Sequence, residues 1–346
     1  MKQMILAVVF LLSFATPASA LEIEAPEVPQ SGAEWMPEDT SSFADALVDL
    51  LQKVILKIRP DLAEASKVSL TLLAAVMIVS VLTSFSGSVK AAADLCGTVM
   101  IVGTLLMSAN SLIRLGGDTV TELSEYGKLL LPVMTAAVAA QGGSTTSAVL
   151  YTGTAVFDMI LSSLISKVLV PMVYLYLALS AANGALGEDL LKKMRDIIKW
   201  FISWLLKTLL TVYTTYMSIT GVVSGTTDAA ALKAAKVTIS SVVPVVGGIL
   251  SDASEAVLVS AGVMKNAAGV YGILAVLSLF LEPFLRIGAH YLLLKVTAAL
   301  CGLFGVKRMT DLIEDFSSAM GLLLAMTGSA CLFQLISTIC FMKGVG

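Results

Sequence analysis

The stretch VSLTLLAAVMIVSVLTSFSGS, residues 68–88, contains no charged side chain. A run of about 20 apolar residues is long enough to cross the hydrocarbon core of a bilayer as a helix. Further apolar runs with at most one charge follow at 95–113, 145–166, 168–186, 200–223 and 317–342. Because the bilayer core offers no water to backbone groups, such runs must bond internally, as helices do. The sequence therefore predicts an all-α polytopic membrane protein with about eight to ten membrane helices, some of them short or broken.

Composition excludes several broad classes of function. Hydrophobic residues make up 57% of the chain and charged residues 14%, whereas soluble domains average about 45–50% and about 25%. A soluble globular enzyme is thereby excluded, and a net charge of −3 gives no basic excess for nucleic acid. The one histidine, His290, belongs to no catalytic motif, and no phosphate-binding loop is present in the sequence. The four cysteines lie in apolar runs without a C-x-x-C pair, so we predict no enzyme, metal or cofactor.

The N-terminal segment has the pattern of a secretory signal peptide. Residues 1–20 combine a basic start, an apolar stretch from Met4 to Phe14 and a small-residue cleavage site ending at Ala20. An uncleaved first helix is the alternative, but the apolar stretch is short for a membrane span. Cleavage would leave residues 21–66 outside the cytoplasm, as an exposed, flexible acidic arm and an amphipathic helix. That helix could lie on the membrane surface, bind a partner or pack on the chain itself.

The rest of the chain divides into two membrane helices with a polar connector, at 67–128, and two similar halves, at 129–223 and 224–346. Prolines stand 39 residues apart in each half, at Pro132 and Pro171 and at Pro244 and Pro283. Each half also contains a basic loop, 188–199 in the first and 305–316 in the second. Basic loops face the cytoplasm, so both should lie on the same side. The pattern predicts an internal duplication with parallel repeats.

Each half also contains a segment interrupted by proline and glycine, and such broken helices can line a pore or hold a substrate. Close helix packing through small residues, or a plain hairpin turn, is the alternative. In the second half we expect the helix to break near 247–251 and to restart after Ser251 or Asp252. The candidate pore or packing residues are Pro244, Gly247, Gly248, Ser251, Asp252 and Glu255, with Pro132, Gly142 and Gly143 in the first half.

Ionisable residues inside apolar runs form a second set of candidates. Glu282, Arg286 and His290 follow one another at a spacing of four, which places them on one helix face. Asp158 is a single acid within its run. Charged groups at membrane depth usually face a bundle interior or a water-filled cavity. Structural pairing at the membrane interface is the alternative for Glu282 and Arg286.

The segment 189–300 resembles a known family. The string PVVGGILSDA at 244–253, with Lys265 and Asn266 downstream, is its most specific part. It is similar to the stage III sporulation protein AE family of endospore-forming bacteria. The resemblance implies a multi-pass component of an assembly in the mother-cell membrane around the forespore. The implied partners are the other stage III A-series proteins and, through them, the forespore stage II sporulation protein Q.

The implied function of that assembly is a secretion or feeding channel, in which this member is a permease-like pore or an assembly platform. The family supplies no catalytic residues to transfer. An independent small-solute permease is the second hypothesis, motivated by the repeat and the broken segments. A membrane-embedded enzyme is the third, and the lack of a motif argues against it.

Overall fold

The computed structural model describes residues 25–40, 42–84, 87–141, 143–242 and 247–343, with the backbone alone at 87–91 and 220–265. Of these, 92% are helical and none lies in a strand, which confirms the all-α prediction. The predicted signal peptide, residues 1–20, lies outside the described residues. The helices are α1 Gln30–Ala33, α2 Phe43–Lys57, α3 Arg59–Ser84, α4 Gly87–Ala140, α5 Ser144–Leu164, a π-helix Ile165–Leu169, α6 Val170–Leu186, α7 Asp189–Val242, α8 Gly247–Gly302 and α9 Lys307–Lys343.

Six helical stretches of the described chain are long and apolar enough to cross a membrane, fewer than the eight to ten predicted for the whole chain. They are Arg59–Ser84, Ala92–Ala140, Ser144–Leu186, Asp189–Ile219, Asn266–Gly302 and Lys307–Lys343. The number is lower because neighbouring apolar runs join into single helices. The π-helix carries the chain through Lys167 without a break, so 145–166 and 168–186 form one stretch.

Residues 114–128 were predicted to be a polar connector, but they form the middle of the 54-residue helix α4. Pro132 also lies inside α4 and does not end it. A buried stripe at helical spacing, including Val120, Leu123 and Leu130, packs this part of α4 on the core. The charged residues of this segment lie on the other, more exposed faces. At 1.5 Å per residue α4 is about 80 Å long, which exceeds the thickness of a bilayer.

Helix α9 lies at the centre of the bundle and contacts α4, α5, α6, α7 and α8. Its buried positions include consecutive residues such as Asp315, Phe316 and Ser317, so more than one face is covered. A helix enclosed on several faces is expected to be apolar all round, as most of α9 is. The few polar side chains that α9 buries therefore need partners on the surrounding helices.

The acidic arm packs on the bundle over the part that the structure describes, residues 25–40. Trp35 is 7% exposed and packs with Leu50 and Val54 of α2 against α8. Lys57 pairs with Glu34, and its ammonium lies 4.5 Å from the centre of the Trp35 ring. The prediction of an exposed arm agrees with its acidic side chains, but the segment also packs on the bundle, because Trp35 anchors it. Of the three placements considered for the amphipathic helix, the structure shows packing on the chain itself.

The two halves share one feature of backbone geometry. Gly187 joins α6 to α7 and Gly305 joins α8 to α9, with φ angles of 74° and 73°. Both values lie in the left-handed region that glycine enters without steric cost. Each turn precedes a helix that begins with one of the two basic loops. The internal duplication stays a prediction, and these turns agree with it.

Candidate functional site

The broken segment of the second half begins a long helix. Helix α7 ends at Val242 and α8 begins at Gly247, running without interruption to Gly302. The expected break at 247–251 and restart after Ser251 or Asp252 are thus corrected, since both residues belong to the second turn of α8. Two consecutive glycines cost helix stability, roughly 1 kcal/mol each, but do not prevent a helix. Pro244 lies outside the described residues. The structure describes only the backbone of Gly247, Gly248, Ser251, Asp252 and Glu255.

The corresponding segment of the first half is a turn between two helices. Pro132 is internal to α4, which ends at Ala140, and Gly143 directly precedes α5. Gly142 lies outside the described residues. A hairpin turn, one of the alternatives considered, accounts for this geometry. A pore-lining role for either segment stays a prediction.

Asp158 on α5 lies at the contact of three helices and is 3% exposed. Its Oδ2 accepts a hydrogen bond of 2.6 Å from the Ser124 hydroxyl on α4. Its Oδ1 accepts one of 2.9 Å from the Gln334 side-chain amide on α9. Both partners are also buried. The prediction that Asp158 sits in a polar interior agrees with this arrangement, in which both carboxylate oxygens are held by neutral donors.

Further polar groups surround this carboxylate, and together they form the Asp158 cluster: Ser124, Thr154, Asp158, Tyr213, Gln334 and Ser337. Thr154 and Ser337 lie one helical turn from Asp158 and Gln334, and their hydroxyls are 3.3 Å apart. The completely buried Tyr213 of α7 packs on Phe333, with ring centres 4.2 Å apart. Sequence reasoning missed Gln334, although it is the single amide in the apolar run 317–342.

A glycine allows the Gln334 amide to reach Asp158. Gly127 lies on α4, one turn after Ser124, and faces Gln334 across the helix contact. A Cβ atom at Gly127 would lie 2.3 Å from Gln334 Nε2, which is far inside van der Waals contact. The Gln334 amide can therefore lie beside Asp158 only because position 127 has no side chain.

The predicted row of Glu282, Arg286 and His290 forms ion pairs rather than a common site. Arg286 Nη1 lies 3.9 Å from Glu282 Oε1, and its Nε lies 3.3 Å from Asp61 Oδ1 on α3. His290 Nδ1 lies 3.0 Å from the backbone oxygen of Arg286, one turn back on the same helix. These contacts favour the structural alternative, because Arg286 lies between two carboxylates and His290 contacts its own helix backbone.

A second polar cluster joins the two basic loops at one end of the bundle. Arg195 of α7 is 7% exposed and pairs with Asp315 of α9, which is 8% exposed. Its Nη2 also lies 3.0 Å from the exposed Asp196. Lys199 donates a 3.1 Å hydrogen bond to Ser318, which is a second polar contact between α7 and α9. Contact between the loops agrees with the prediction that both lie on the same side of the membrane.

This end of the bundle contains a polar cleft of about 300 Å³. Basic and acidic side chains from both loops line it, among them Lys192, Lys307 and Asp311. Sequence reasoning counted Arg195 only as part of a basic loop. Its spacing from the buried Ile198 and Ile202, at three and seven residues, was the signal that Arg195 faces the core.

Two comparisons with known proteins identify similar chains. The model of a family described as "Stage III sporulation protein AE" matches residues 37–345. The protein of that name from Bacillus subtilis (strain 168) is 21% identical over 207 residues, which cover 59% of this chain and 52% of that protein. The match thus spans about half the length of this curated relative. No solved structure matches the chain.

Proposed function

Because the chain belongs to the stage III sporulation protein AE family, we propose that it is a multi-pass component of a sporulation-specific channel between mother cell and forespore. It resides in the mother-cell membrane around the forespore. Its partners are the other stage III A-series proteins and, through them, the forespore stage II sporulation protein Q. The six apolar helices long enough to span a membrane support the membrane location.

Of the two roles considered, assembly platform and single-chain pore, the filled centre of the bundle favours the platform. Helix α9 occupies that centre and packs on five neighbouring helices. Large side chains such as Phe316, Met320 and Leu323 are completely or almost completely buried there. A pore along the bundle axis would need polar, hydrated residues at these positions. An aqueous path would therefore run between this chain and its partners rather than through the centre of the bundle.

Deleting the gene and counting heat-resistant spores tests the proposed role. We expect the deletion to abolish sporulation and an intact copy to restore it. An affinity tag on the chain should then recover the A-series proteins from sporulating cells. Normal sporulation without the gene, or a tagged chain that restores sporulation but recovers none of these proteins, would contradict the proposal.

An independent small-solute permease remains the second candidate, and the Asp158 cluster is the observation that favours it. A buried carboxylate with polar neighbours is the kind of group that transporters place in their interior. Solute uptake by vesicles that contain the purified chain alone would support this candidate over the platform.

Topology gives a further prediction. We expect 188–199 and 305–316 to face the mother-cell cytoplasm and 21–66 to face the intermembrane space. Three stretches, α3, α4 and the joined α5–α6, separate the arm from the first loop, so an odd number of crossings supports opposite sides.

Single cysteines at three exposed positions, Glu38, Glu188 and Lys307, would measure this in a chain lacking its native cysteines. A membrane-impermeant thiol reagent should label Glu38→Cys from one side only and the other two from the opposite side only. Different sides for Glu188→Cys and Lys307→Cys would indicate inverted instead of parallel repeats.

A further inference from the structure

Asp158 differs from the other deeply buried acid of the described chain, Asp315, in the charge of its partners. Asp315 pairs with the guanidinium of Arg195, whereas Asp158 has hydrogen bonds from a hydroxyl and an amide. Removing an ionised carboxylate from water is costly where no cation compensates its charge. We propose that Asp158 is a proton-binding site, and that proton uptake and release there are coupled to the contact between α4, α5 and α9.

The hydrogen-bond partners fit both protonation states of Asp158. In the ionised state Ser124 donates to Oδ2 and Gln334 donates to Oδ1. On protonation, hydronium transfers its proton to Oδ2 and leaves as water. The new O–H group then donates to Ser124, because a serine hydroxyl can accept as well as donate. Gln334 keeps its bond to Oδ1, and the Ser124 hydroxyl, now an acceptor, turns its own proton away from the carboxylate.

The same chemistry favours a proton over a metal cation. A bound cation needs several oxygen atoms turned towards it, with lone pairs free to coordinate. Ser124 and Gln334 instead present an O–H and an N–H group to the carboxylate. Among the described residues no group of three or more His, Cys, Asp and Glu side chains is placed to hold a metal ion.

Charged and titratable groups approach Asp158 from each element that packs on α5. From α4, the exposed Lys128 interacts with it electrostatically. From α7 comes the Tyr213 hydroxyl and from α9 the neutral Gln334, with Cys340 beside Tyr213. The π-helix that follows α5 contains Lys167, which is exposed and is not among the groups that interact with Asp158. The two lysines lie at the margin and leave the carboxylate without a direct ion pair.

The other hydroxyls of the Asp158 cluster extend this polar region away from the carboxylate. Thr154 lies one turn before Asp158 on α5, and Ser337 lies one turn after Gln334 on α9. Their hydroxyls are within hydrogen-bonding distance of each other. The Tyr213 hydroxyl faces these two hydroxyls. Hydroxyl groups can both receive and pass on a proton, so these three extend the polar interior beyond Asp158.

Labelling with dicyclohexylcarbodiimide tests the proposal on the purified full-length protein in lipid nanodiscs. This reagent attacks protonated carboxyl groups in apolar surroundings and leaves ionised ones unmodified. Mass spectrometry of the digested chain would locate the adduct at each pH. We expect an Asp158 adduct at acidic pH that decreases as the pH rises.

Two variants sharpen this test. Ser124→Ala removes a donor that stabilises the ionised form, so the midpoint of Asp158 labelling should move about one unit to higher pH. Thr119→Ala is the matched control on the same helix, because its buried hydroxyl donates to its own helix at Leu115. It should leave the midpoint unchanged.

Two results would overturn the proposal: no adduct on Asp158 at any pH at which the protein is folded, or labelling of Asp158 that does not change with pH. Asp158→Asn should retain the helical fold and lose the adduct, which assigns the label to this side chain. None of these readouts depends on the sporulation role, so the two proposals can fail separately.

Discussion

Replacing Arg195 with alanine is expected to lower the free energy of unfolding by about 3–5 kcal/mol. The substitution leaves Asp315 buried in the bundle without its cation, and the cost of an unpaired buried charge exceeds that of most lost contacts. The pair also joins α7 to the central helix α9 across 120 residues of sequence. Unfolding of the purified protein by increasing denaturant in mixed micelles, followed by helicity, would measure the change.

Two controls separate the buried charge from lost packing at Arg195. The double variant Arg195→Met with Asp315→Leu removes both charges and should recover most of the loss, since apolar residues can replace a buried ion pair. Lys295→Ala breaks an exposed pair with Glu314, where the side chains are 50% and 52% exposed. Its expected effect is below about 1 kcal/mol. If Arg195→Ala costs no more than Lys295→Ala, the buried pair does not hold α7 on α9.

The second large effect is expected at Gly127. Gly127→Ala would place a methyl group against the Gln334 amide and push it away from Asp158. Overpacking of this kind, together with the loss of a hydrogen bond to a buried carboxylate, should cost about 1–3 kcal/mol. The same unfolding measurement detects it.

Gly117→Ala is a closely matched control on the same helix. A Cβ atom at Gly117 would meet its nearest neighbour, Val170 Cγ2, at 3.8 Å, which is ordinary contact. Because alanine is also the better helix former, this variant should be neutral or slightly stabilising. Equal stability of the two variants would mean that the Gln334 amide moves aside at little cost. That result would contradict the close contact of Gly127 with Gln334.

The helical membrane fold could be predicted because it depends on local composition. Each apolar run, such as 68–88, is long enough to require a helix whatever it packs against. The ends of helices were less predictable. The proline at 132 and the charges of 114–128 indicate an interruption, but packing of one apolar stripe keeps α4 continuous. Tertiary contacts there outweigh local propensity.

The polar clusters were predicted in part, for a different reason. Burial of Asp158 follows from its place in an apolar run, but its partners lie 34 and 176 residues away in sequence. One sequence contains no direct signal of such pairings. For the row from Glu282 to His290, the sequence predicted the shared helix face but not the partner on another helix. Its spacing correctly puts three polar groups on one face, whereas the ion pair to Asp61 that explains Arg286 comes from another helix.

The central position of α9 has a consequence for biosynthesis. Ribosomes make α9 after all the helices that surround it, and 176 residues separate Asp158 from Gln334. At about 5–20 residues per second, translation of that interval takes roughly 10–30 s. Until α9 is made, Asp158 lacks Gln334 and Arg195 lacks Asp315, so the nascent chain carries two incompletely paired polar groups while it enters the bilayer. We expect insertion machinery or chaperones to shelter them until α9 packs into the bundle.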